Sequence, residues 1–176
     1  EKVNHFLETA KNLIEASGIA VDIVSIGGSP NMWEVDKIPI GTEYRIGTYI
    51  YNDRSLMERR GCSEGDCALT ILATVVSTPT PERAVIDAGS KVLTTDLFGL
   101  TGHGHIIDHP ELTISQLSEE HACIVSDQPT GLSIGQKLRV IPNHACVVSN
   151  MVDEVIFIEG PKVLKKQAVV ARGKVL

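Results

Sequence analysis

The chain has 176 residues, enough for one ordinary domain or slightly more, with a hydrophobic core of useful size. Its formal net charge of −6 excludes the basic surface expected of a nucleic-acid-binding protein or of a polybasic membrane patch. No apolar run is long enough to span a bilayer, and Glu1-Lys2-Val3 does not begin a signal peptide. Four cysteines at irregular spacing indicate a reducing compartment, and we expect the cytoplasm.

The first residues predict an amphipathic helix of roughly four turns, ending at Gly18. Its apolar residues recur at steps of three and four: Val3, Phe6, Leu7, Ala10, Leu13 and Ile14. The helical pattern is under way by Val3 and no initiating methionine precedes it. We therefore expect the chain to be a piece of a longer protein.

Two strands with glycine-containing ends follow this helix. The run from Ile19 to Ile26 is nearly all apolar and rich in β-branched residues, which predicts a strand buried on both faces, as in a parallel sheet covered by helices. It leads into Gly27-Gly28-Ser29. A second strand is predicted from Tyr44 to Tyr51, interrupted by Gly47 and Thr48. Glycine N–H groups and hydroxyls at such strand ends can bind an anion, although Gly-Gly-Ser also occurs in simple turns.

The pattern changes from Cys67 onward, where short apolar runs are divided by Gly, Pro, Asn and Asp and no amphipathic helix is evident. This predicts an antiparallel β-domain, a small barrel or sandwich, with a boundary between Arg60 and Asp66. The predicted strands cover residues 68–77, 83–87, 121–126, 137–141, 145–149 and 154–158, with one more between 162 and 174.

His144 and Cys146 are the most informative pair in this second part. If Ala145–Ser149 were a strand, the two side chains would project from the same face. An imidazole and a thiolate together are ligands that zinc prefers, but they make only half of a tetrahedral site. The remaining ligands would come from elsewhere in the fold, from water or from a substrate. The alternative is a histidine that hydrogen-bonds locally beside an inert buried cysteine.

Three other groups are weaker candidates for chemistry. Gly102-His-Gly-His105 can chelate a metal, but histidines in loops are more often solvated. Cys62 and Cys67 are too far apart for a zinc knuckle and are expected to be structural. Glu119 or Glu120 beside His121 can orient a base, although a surface salt bridge is the commoner arrangement.

Five motifs, in this order, resemble the D-threonine aldolase/D-serine dehydratase family of fold-type III, alanine-racemase-like pyridoxal-phosphate enzymes. The resemblance runs from about Ile19 to Asp153. The motifs are Val24-Ser-Ile-Gly-Gly-Ser29, Arg45-Ile-Gly-Thr-Tyr-Ile-Tyr-Asn-Asp53, Asp87-Ala-Gly-Ser-Lys91 with Thr95-Asp96, Leu117-Ser-Glu-Glu-His121, and Pro142-Asn-His-Ala-Cys146.

The resemblance implies an α/β plus all-β architecture. Residues 1–62 would form the last helix–strand units of a β/α (TIM-type) barrel, and residues 63–176 the C-terminal antiparallel β-domain. The lysine that forms the family's Schiff base would lie upstream of Glu1, and neither Lys37 nor Lys91 is in its context. We therefore expect the full-length parent to be a PLP-dependent lyase and this chain alone to be inactive.

By the same resemblance, the cofactor phosphate would contact the backbone and hydroxyl groups of Gly27, Gly28, Ser29, Gly47, Thr48 and Tyr49. His144, the expected catalytic residue, and Cys146 would hold a divalent metal, zinc by ligand softness, that binds the β-hydroxyl of a D-amino acid. The expected reaction is retro-aldol cleavage to glycine and an aldehyde, or β-elimination as in D-serine dehydratase. We also expect a homodimer. The alternatives are a non-catalytic β-domain serving as a zinc-binding or dimerisation module, and a zinc hydrolase.

Overall fold

The computed structural model describes residues 2–174. Three α-helices are present in this range, α1 (Lys2–Ala16), α2 (Arg54–Glu58) and α3 (Ala145–Met151), with 3₁₀ helices at Ser29–Lys37, Thr48–Ile50 and Glu64–Asp66. None of the described helices is long and apolar enough to cross a membrane. The strands are β1 (Ser25–Gly27), β2 (Glu43–Arg45), β3 (Ile71–Thr80), β4 (Arg83–Ile86), β5 (His105–Ile106), β6 (Thr113–Leu117), β7 (Ala122–Val125), β8 (Lys137–Ile141), β9 (Glu154–Glu159) and β10 (Lys162–Ala168).

The N-terminal helix is confirmed, and Gly18 follows it in the left-handed conformation (φ 88°) that favours glycine after a helix. However, α1 buries none of its side chains, and Phe6 and Leu13 are each 69% exposed. The helix is anchored through Asn4, whose side-chain oxygen accepts a hydrogen bond from the Ile40 backbone N–H (3.1 Å). Its apolar face is therefore largely uncovered by the described residues, with only Leu7 and Ala10 half-buried.

The predicted buried strand from Ile19 to Ile26 is wrong in length and in burial. Only Ser25–Gly27 is a strand, and within residues 2–174 it pairs in parallel with β2 alone. Ile19 and Ile23 are more than 60% exposed. The apolar composition of this segment is typical of a strand that is covered on both faces, but no layer among the described residues covers it.

The second predicted strand, from Tyr44 to Tyr51, also ends early. β2 stops at Arg45, and Thr48–Ile50 forms a 3₁₀ turn. The Thr48 N–H donates to the Ser29 hydroxyl (3.0 Å) and the Tyr51 N–H donates back to the Thr48 carbonyl (3.0 Å), so these donors are used locally rather than in a strand ladder.

The core belongs to a six-stranded antiparallel sheet of order β5-β8-β3-β4-β7-β6. The sheet nearly closes on itself, because the His103 N–H, just before β5, donates to the Ile114 carbonyl in β6 (3.0 Å). Alternate residues of the strands point inward, as the twofold side-chain period requires. The buried set includes Ala73, Val75, Ala84, Ile86, Ala122, Ile124, Leu138 and Val140.

The antiparallel β-domain predicted from the sequence is therefore confirmed as a nearly closed sheet. β4, β7 and β8 lie within the predicted runs, and β9 and β10 fall on the last two of them, where the structure pairs them in antiparallel. Two strands were missed. β5 is only two residues long, and β6 lies within a polar, irregular stretch whose strand pattern is weak.

The prediction of a strand over Ala145–Ser149 is wrong, because these residues begin α3. The cause is a side chain distant in sequence. Asp53 is fully buried; its Oδ1 accepts from the Leu56 N–H (3.1 Å) and the Ser55 hydroxyl (2.7 Å), and its Oδ2 accepts from the Ala145 N–H (3.0 Å). One carboxylate thus satisfies free N–H groups at the start of both α2 and α3.

We expect Asp53→Ala to lower the free energy of unfolding by about 3 kcal/mol, since two helix starts each lose a cap and buried N–H groups lose their acceptor. Urea denaturation would measure the loss. Asp66→Ala is a matched control, because Asp66 accepts from Ser63 (2.9 Å to the backbone N–H) at an exposed turn, and should cost about 1 kcal/mol or less. Equal losses in the two variants would contradict the joint role of Asp53.

Candidate functional site

The two predicted anion-binding segments lie side by side. Gly28 adopts φ 115°, which favours glycine, and immediately precedes the Ser29–Lys37 3₁₀ helix. Gly47 immediately precedes the Thr48–Ile50 turn. The hydrogen bond from the Thr48 N–H to the Ser29 hydroxyl joins the two segments, and Ser29 is buried. Ser29 accepts in this bond, so its own O–H remains available to donate.

Gly47 has a feature that its own chain does not explain. Its backbone angles (φ −111°, ψ −51°) are open to other residues, and a Cβ at this position would meet no described atom within 4 Å. A side chain is therefore not excluded by the chain's own packing. The first N–H groups of a helical turn have no partner within the turn. The space beside them can therefore accept an anionic group such as a phosphate. Tyr49, in the same turn, is 56% exposed.

His144 and Cys146 do not alternate along a strand, as the sequence had suggested. His144 is the extended residue that precedes α3, and Cys146 is the second residue of the helix. The Cys146 Sγ lies 3.4 Å from the Thr48 hydroxyl oxygen, so the cysteine adjoins the candidate phosphate-binding turn. The fold thus brings together two parts of the predicted site that are 98 positions apart.

His144 is held by residues that the sequence reasoning did not assign to the site. Its Nδ1 lies 2.6 Å from Asp96 Oδ2, and the Phe98 ring packs edge-on against the imidazole, with centroids 4.9 Å apart. Asp96 was recognised as part of a motif but given no role. Near His121, Glu120 forms a surface salt bridge with Lys91, which is the arrangement that the sequence favoured over a carboxylate–imidazole pair.

A buried amide fixes the backbone around this pair. Asn143 is fully buried, and its Nδ2 donates to the carbonyls of Asp96 (3.0 Å) and Gly102 (2.9 Å). Arg54 Nη1 lies 3.3 Å from both Asn143 Oδ1 and the Gly102 carbonyl. This network connects the start of α2, the loop that carries Asp96 and the residue before His144.

The other histidines form separate contacts. His105 Nε2 lies 2.6 Å from Glu64 Oε2, and His109 Nδ1 lies 3.4 Å from Glu111. Burial lowers the pKa of His103, which favours its neutral form. Across residues 2–174, no group of three or more His, Cys, Asp and Glu side chains is arranged to hold a metal. His144 and Cys146 would therefore need water or substrate, or ligands outside the described range, to complete a site.

The chain's four cysteines are free thiols in contrasting surroundings. Burial raises the pKa of Cys67 to about 12, with the neighbouring Cys62 thiol adding to the rise. Burial also raises the pKa of Cys62. Cys146, by contrast, is exposed. Cys62 and Cys67 are therefore poor nucleophiles and poor metal ligands near neutral pH.

Comparison with known proteins identifies the family of this chain. The sequence profile described as a putative serine dehydratase domain matches residues 68–158, more than half of the chain. An uncharacterized protein of Mycobacterium tuberculosis is 41% identical over 128 residues, which are 69% of this chain and 96% of that protein. D-threonine aldolase of Arthrobacter is 29% identical over 164 residues, 92% of this chain and 41% of the aldolase.

Solved structures of the same group share the fold. D-threonine aldolase from Filomicrobium marinum superposes with a TM-score of 0.78 at 25% identity, covering 98% of this chain and 47% of that one. An alanine-racemase-like protein from Idiomarina loihiensis gives a TM-score of 0.71 at 27% identity, covering 91% of this chain and 47% of that one. D-threo-3-hydroxyaspartate dehydratase from Delftia gives 0.76 at 23% identity, covering 94% and 48%.

The fold and the profile therefore define a member of the alanine-racemase-like enzyme group. The chain belongs to the D-threonine aldolase/D-serine dehydratase family, as its motifs had suggested. It spans nearly all of the mycobacterial relative but about two fifths of Arthrobacter aldolase and about half of the solved structures. The Delftia dehydratase has also been solved with a histidine or a cysteine, two positions apart, replaced by alanine, and the cysteine variant is in a metal-free form.

We expect iodoacetamide to modify Cys146 at least about tenfold faster than Cys62 or Cys67 near neutral pH, because burial keeps the latter two thiols protonated. Peptide mass spectrometry of the native chain over time would give the three rates. The denatured chain is the control, since all three should then react alike. Faster labelling of Cys67 than of Cys146 in the native chain would contradict the predicted order of thiol reactivity.

Proposed function

We propose that this chain is the C-terminal part of a PLP- and metal-dependent lyase that acts on D-β-hydroxy amino acids. The observation that carries the proposal is the contact between Cys146 and Thr48, which places the His144-x-Cys146 pair beside the candidate phosphate-binding turns. A lyase for a hydroxylated amino acid needs its cofactor anchor and the groups that handle the hydroxyl within one site.

The chemistry of the relatives supports the substrate class. Their names specify threonine, serine and 3-hydroxyaspartate, all of the D series and all with a hydroxyl on the β-carbon. Some are named aldolases and others dehydratases. What the substrates share is the β-hydroxyl, so groups common to the family should act on it. His144 and Cys146 have the spacing of the histidine and cysteine replaced in the Delftia variants.

Each residue of the site has a defined task in this proposal. The backbone N–H groups of Gly27, Gly28, Gly47 and Tyr49, with the hydroxyls of Ser29 and Thr48, bind the cofactor phosphate. When bound, pyridoxal phosphate supplies the electron sink for bond cleavage at the α-carbon. His144 and Cys146 bind the divalent metal, for which their softness favours zinc, and zinc when bound supplies a Lewis acid for the β-hydroxyl.

The reaction then follows one of two courses. If the β-hydroxyl loses its proton, the Cα–Cβ bond breaks, and glycine and an aldehyde are released. If the hydroxyl departs after the Cα proton has been removed, the products are a keto acid and ammonia. In both courses His144 would act as a ligand of the metal ion, whose Lewis acidity would serve the chemistry of the β-hydroxyl.

The proposal extends to the organisation of the whole protein. Residues 1–62 would be the last units of a TIM-type barrel and residues 63–176 the β-domain, with the Schiff-base lysine supplied by the rest of the protein. The chain alone would then be inactive. We place the enzyme in the cytoplasm, because four free thiols suit a reducing compartment.

One observation favours a second function, a non-catalytic zinc-binding or dimerisation module. The 128 residues aligned with the mycobacterial relative make up 96% of that protein, so this unit can form nearly all of a protein's length. A module of this kind would still bind zinc through His144 and Cys146, but it would show no activity in any form.

We expect the chain to bind one zinc ion, and His144→Ala and Cys146→Ala each to weaken the binding by at least about a hundredfold, since either change removes one of the two protein ligands proposed among residues 2–174. Competition with a chromophoric chelator would measure the affinity. His109→Ala is the matched control and should leave it unchanged. Zinc affinity that survives both site variants would contradict the metal assignment.

Experiments on the longer protein that carries this chain would distinguish the lyase from the non-catalytic module. Borohydride reduction should fix pyridoxal phosphate to a lysine outside residues 1–176, and D-threonine or D-serine should be cleaved. Gly47→Val should raise the cofactor dissociation constant by at least about tenfold, because its side chain would fill the space beside the Thr48 turn. A protein that binds zinc but neither binds the cofactor nor cleaves these amino acids would be the module.

We also propose that the protein is a homodimer and that the isolated chain self-associates. Phe6, Leu13, Ile19 and Ile23 are all more than 60% exposed, and β1 pairs with β2 alone in the part of the chain that the structure describes. Sedimentation velocity should show association that increases with concentration, and Phe6→Ser with Ile23→Ser should reduce it. Leu72→Ser, at an exposed position of the six-stranded sheet, is the control. A stable monomer at all concentrations would contradict this expectation.

A further inference from the structure

We infer that Asp96 is a positioning residue for the metal site, which fixes the His144 tautomer so that Nε2 is the atom presented to the ion. The Asp96 Oδ2 lies 2.6 Å from His144 Nδ1. An ionised carboxylate only accepts hydrogen bonds, so Nδ1 is the donor of this pair, and in the neutral imidazole the lone pair is then left on Nε2. The consequence for metal binding rests on the proposed function, whereas Nδ1 as the donor follows from the contact with Asp96.

The loop that carries Asp96 is constrained at several points. The Asp96 N–H donates to the hydroxyl of Thr94 (3.1 Å), which is buried, and the Asp96 carbonyl accepts from Asn143 Nδ2 (3.0 Å). The backbone on both sides of the carboxylate is therefore fixed. Asn143 immediately precedes His144, so the same amide holds the donor and the acceptor of the Asp96–His144 bond at a set separation.

Phe98 restricts the plane of the imidazole. Its ring meets His144 at an interplanar angle of 67°, with centroids 4.9 Å apart. Phe98 takes φ 50°, a conformation that costs a bulky residue energy, and its carbonyl accepts from Arg59 Nη2 (2.9 Å). A strained aromatic residue that contacts the imidazole is expected where ring orientation matters. Asp96 and Phe98 together set the tautomer and the plane of His144.

This arrangement has a chemical use. A histidine that binds a metal through one ring nitrogen commonly donates its other N–H to a carboxylate, which raises the basicity of the ligand atom and orients the ring. Asp96 also adds negative charge close to a site that has only two protein ligands among residues 2–174. We therefore expect its effect to be on metal affinity as well as on activity.

The test compares Asp96→Asn with Glu64→Gln in the 176-residue chain. Glu64 is a matched control, because it also lies 2.6 Å from an imidazole, that of His105, but outside the site. Asp96→Asn should weaken Co²⁺ and Zn²⁺ binding by about tenfold or more and alter the Co²⁺ absorption spectrum, whereas Glu64→Gln should change neither. Circular dichroism would establish that both variants are folded.

Nitrogen-15 NMR of the histidine rings in the metal-free chain gives an independent measurement. His144 should carry its proton on Nδ1 in the wild type, and Asp96→Asn should shift the population toward protonated Nε2. A wild-type chain with the proton on Nε2 would overturn the inference, even if the variant failed to fold. So would an unchanged tautomer and metal affinity in Asp96→Asn. If His144→Ala leaves metal affinity intact, the proposed metal site fails, and the NMR result still decides the role of Asp96.

Discussion

The structure depends on the buried carboxylate of Asp53. Removing a carboxylate from water costs several kcal/mol unless its oxygens are satisfied, and Asp53 meets this requirement with donors from α2 and from the start of α3. Because the two sets of donors are about 90 positions apart, the charge is satisfied only when the two parts of the chain are joined. The N-terminus of α3 is thereby fixed, and with it His144 and Cys146.

The candidate site lies at this junction rather than in the six-stranded sheet. The first part of the chain contributes the turns that contain Ser29 and Thr48, and the second part contributes Cys146 at 3.4 Å from Thr48. The sheet supplies a rigid, apolar support through β8, which ends immediately before Pro142 and Asn143. Loops and helix starts can present unpaired polar groups, whereas the sheet uses its own in the strand ladder. The functional side chains are accordingly found where the regular elements end.

The sequence predicted those features that depend on neighbours in the chain. The short apolar runs at 137–141 and 121–126, bounded by turn-forming residues, identified β8 and β7, because such composition is a local signal. The α3 helix could not be predicted in this way, since its cap comes from Asp53. The Asp96–His144 pair spans 48 positions and has no local signal. For Ile19–Ile26, the composition predicted burial on both faces but could not show which part of a protein would pack there. The His-x-Cys spacing drew attention to His144 and Cys146 and the family motifs supported the pair, although the strand geometry first used to pair them was incorrect.

Asp53 and Asp96 are two carboxylates near one helix start, and their surroundings give them different roles. Asp53 is fully buried and has three donors, so it is immobile and inaccessible to any ligand. The Asp96 side chain is 40% exposed, and in residues 2–174 its recorded side-chain hydrogen-bond partner is His144. A fully buried carboxylate that is bonded by three donors from two parts of the chain holds the fold together. A carboxylate that keeps contact with solvent and bonds to a single imidazole can instead set the hydrogen bonding and the orientation of that imidazole. Exposure and the number of donors thus assign Asp53 to the framework and Asp96 to the site.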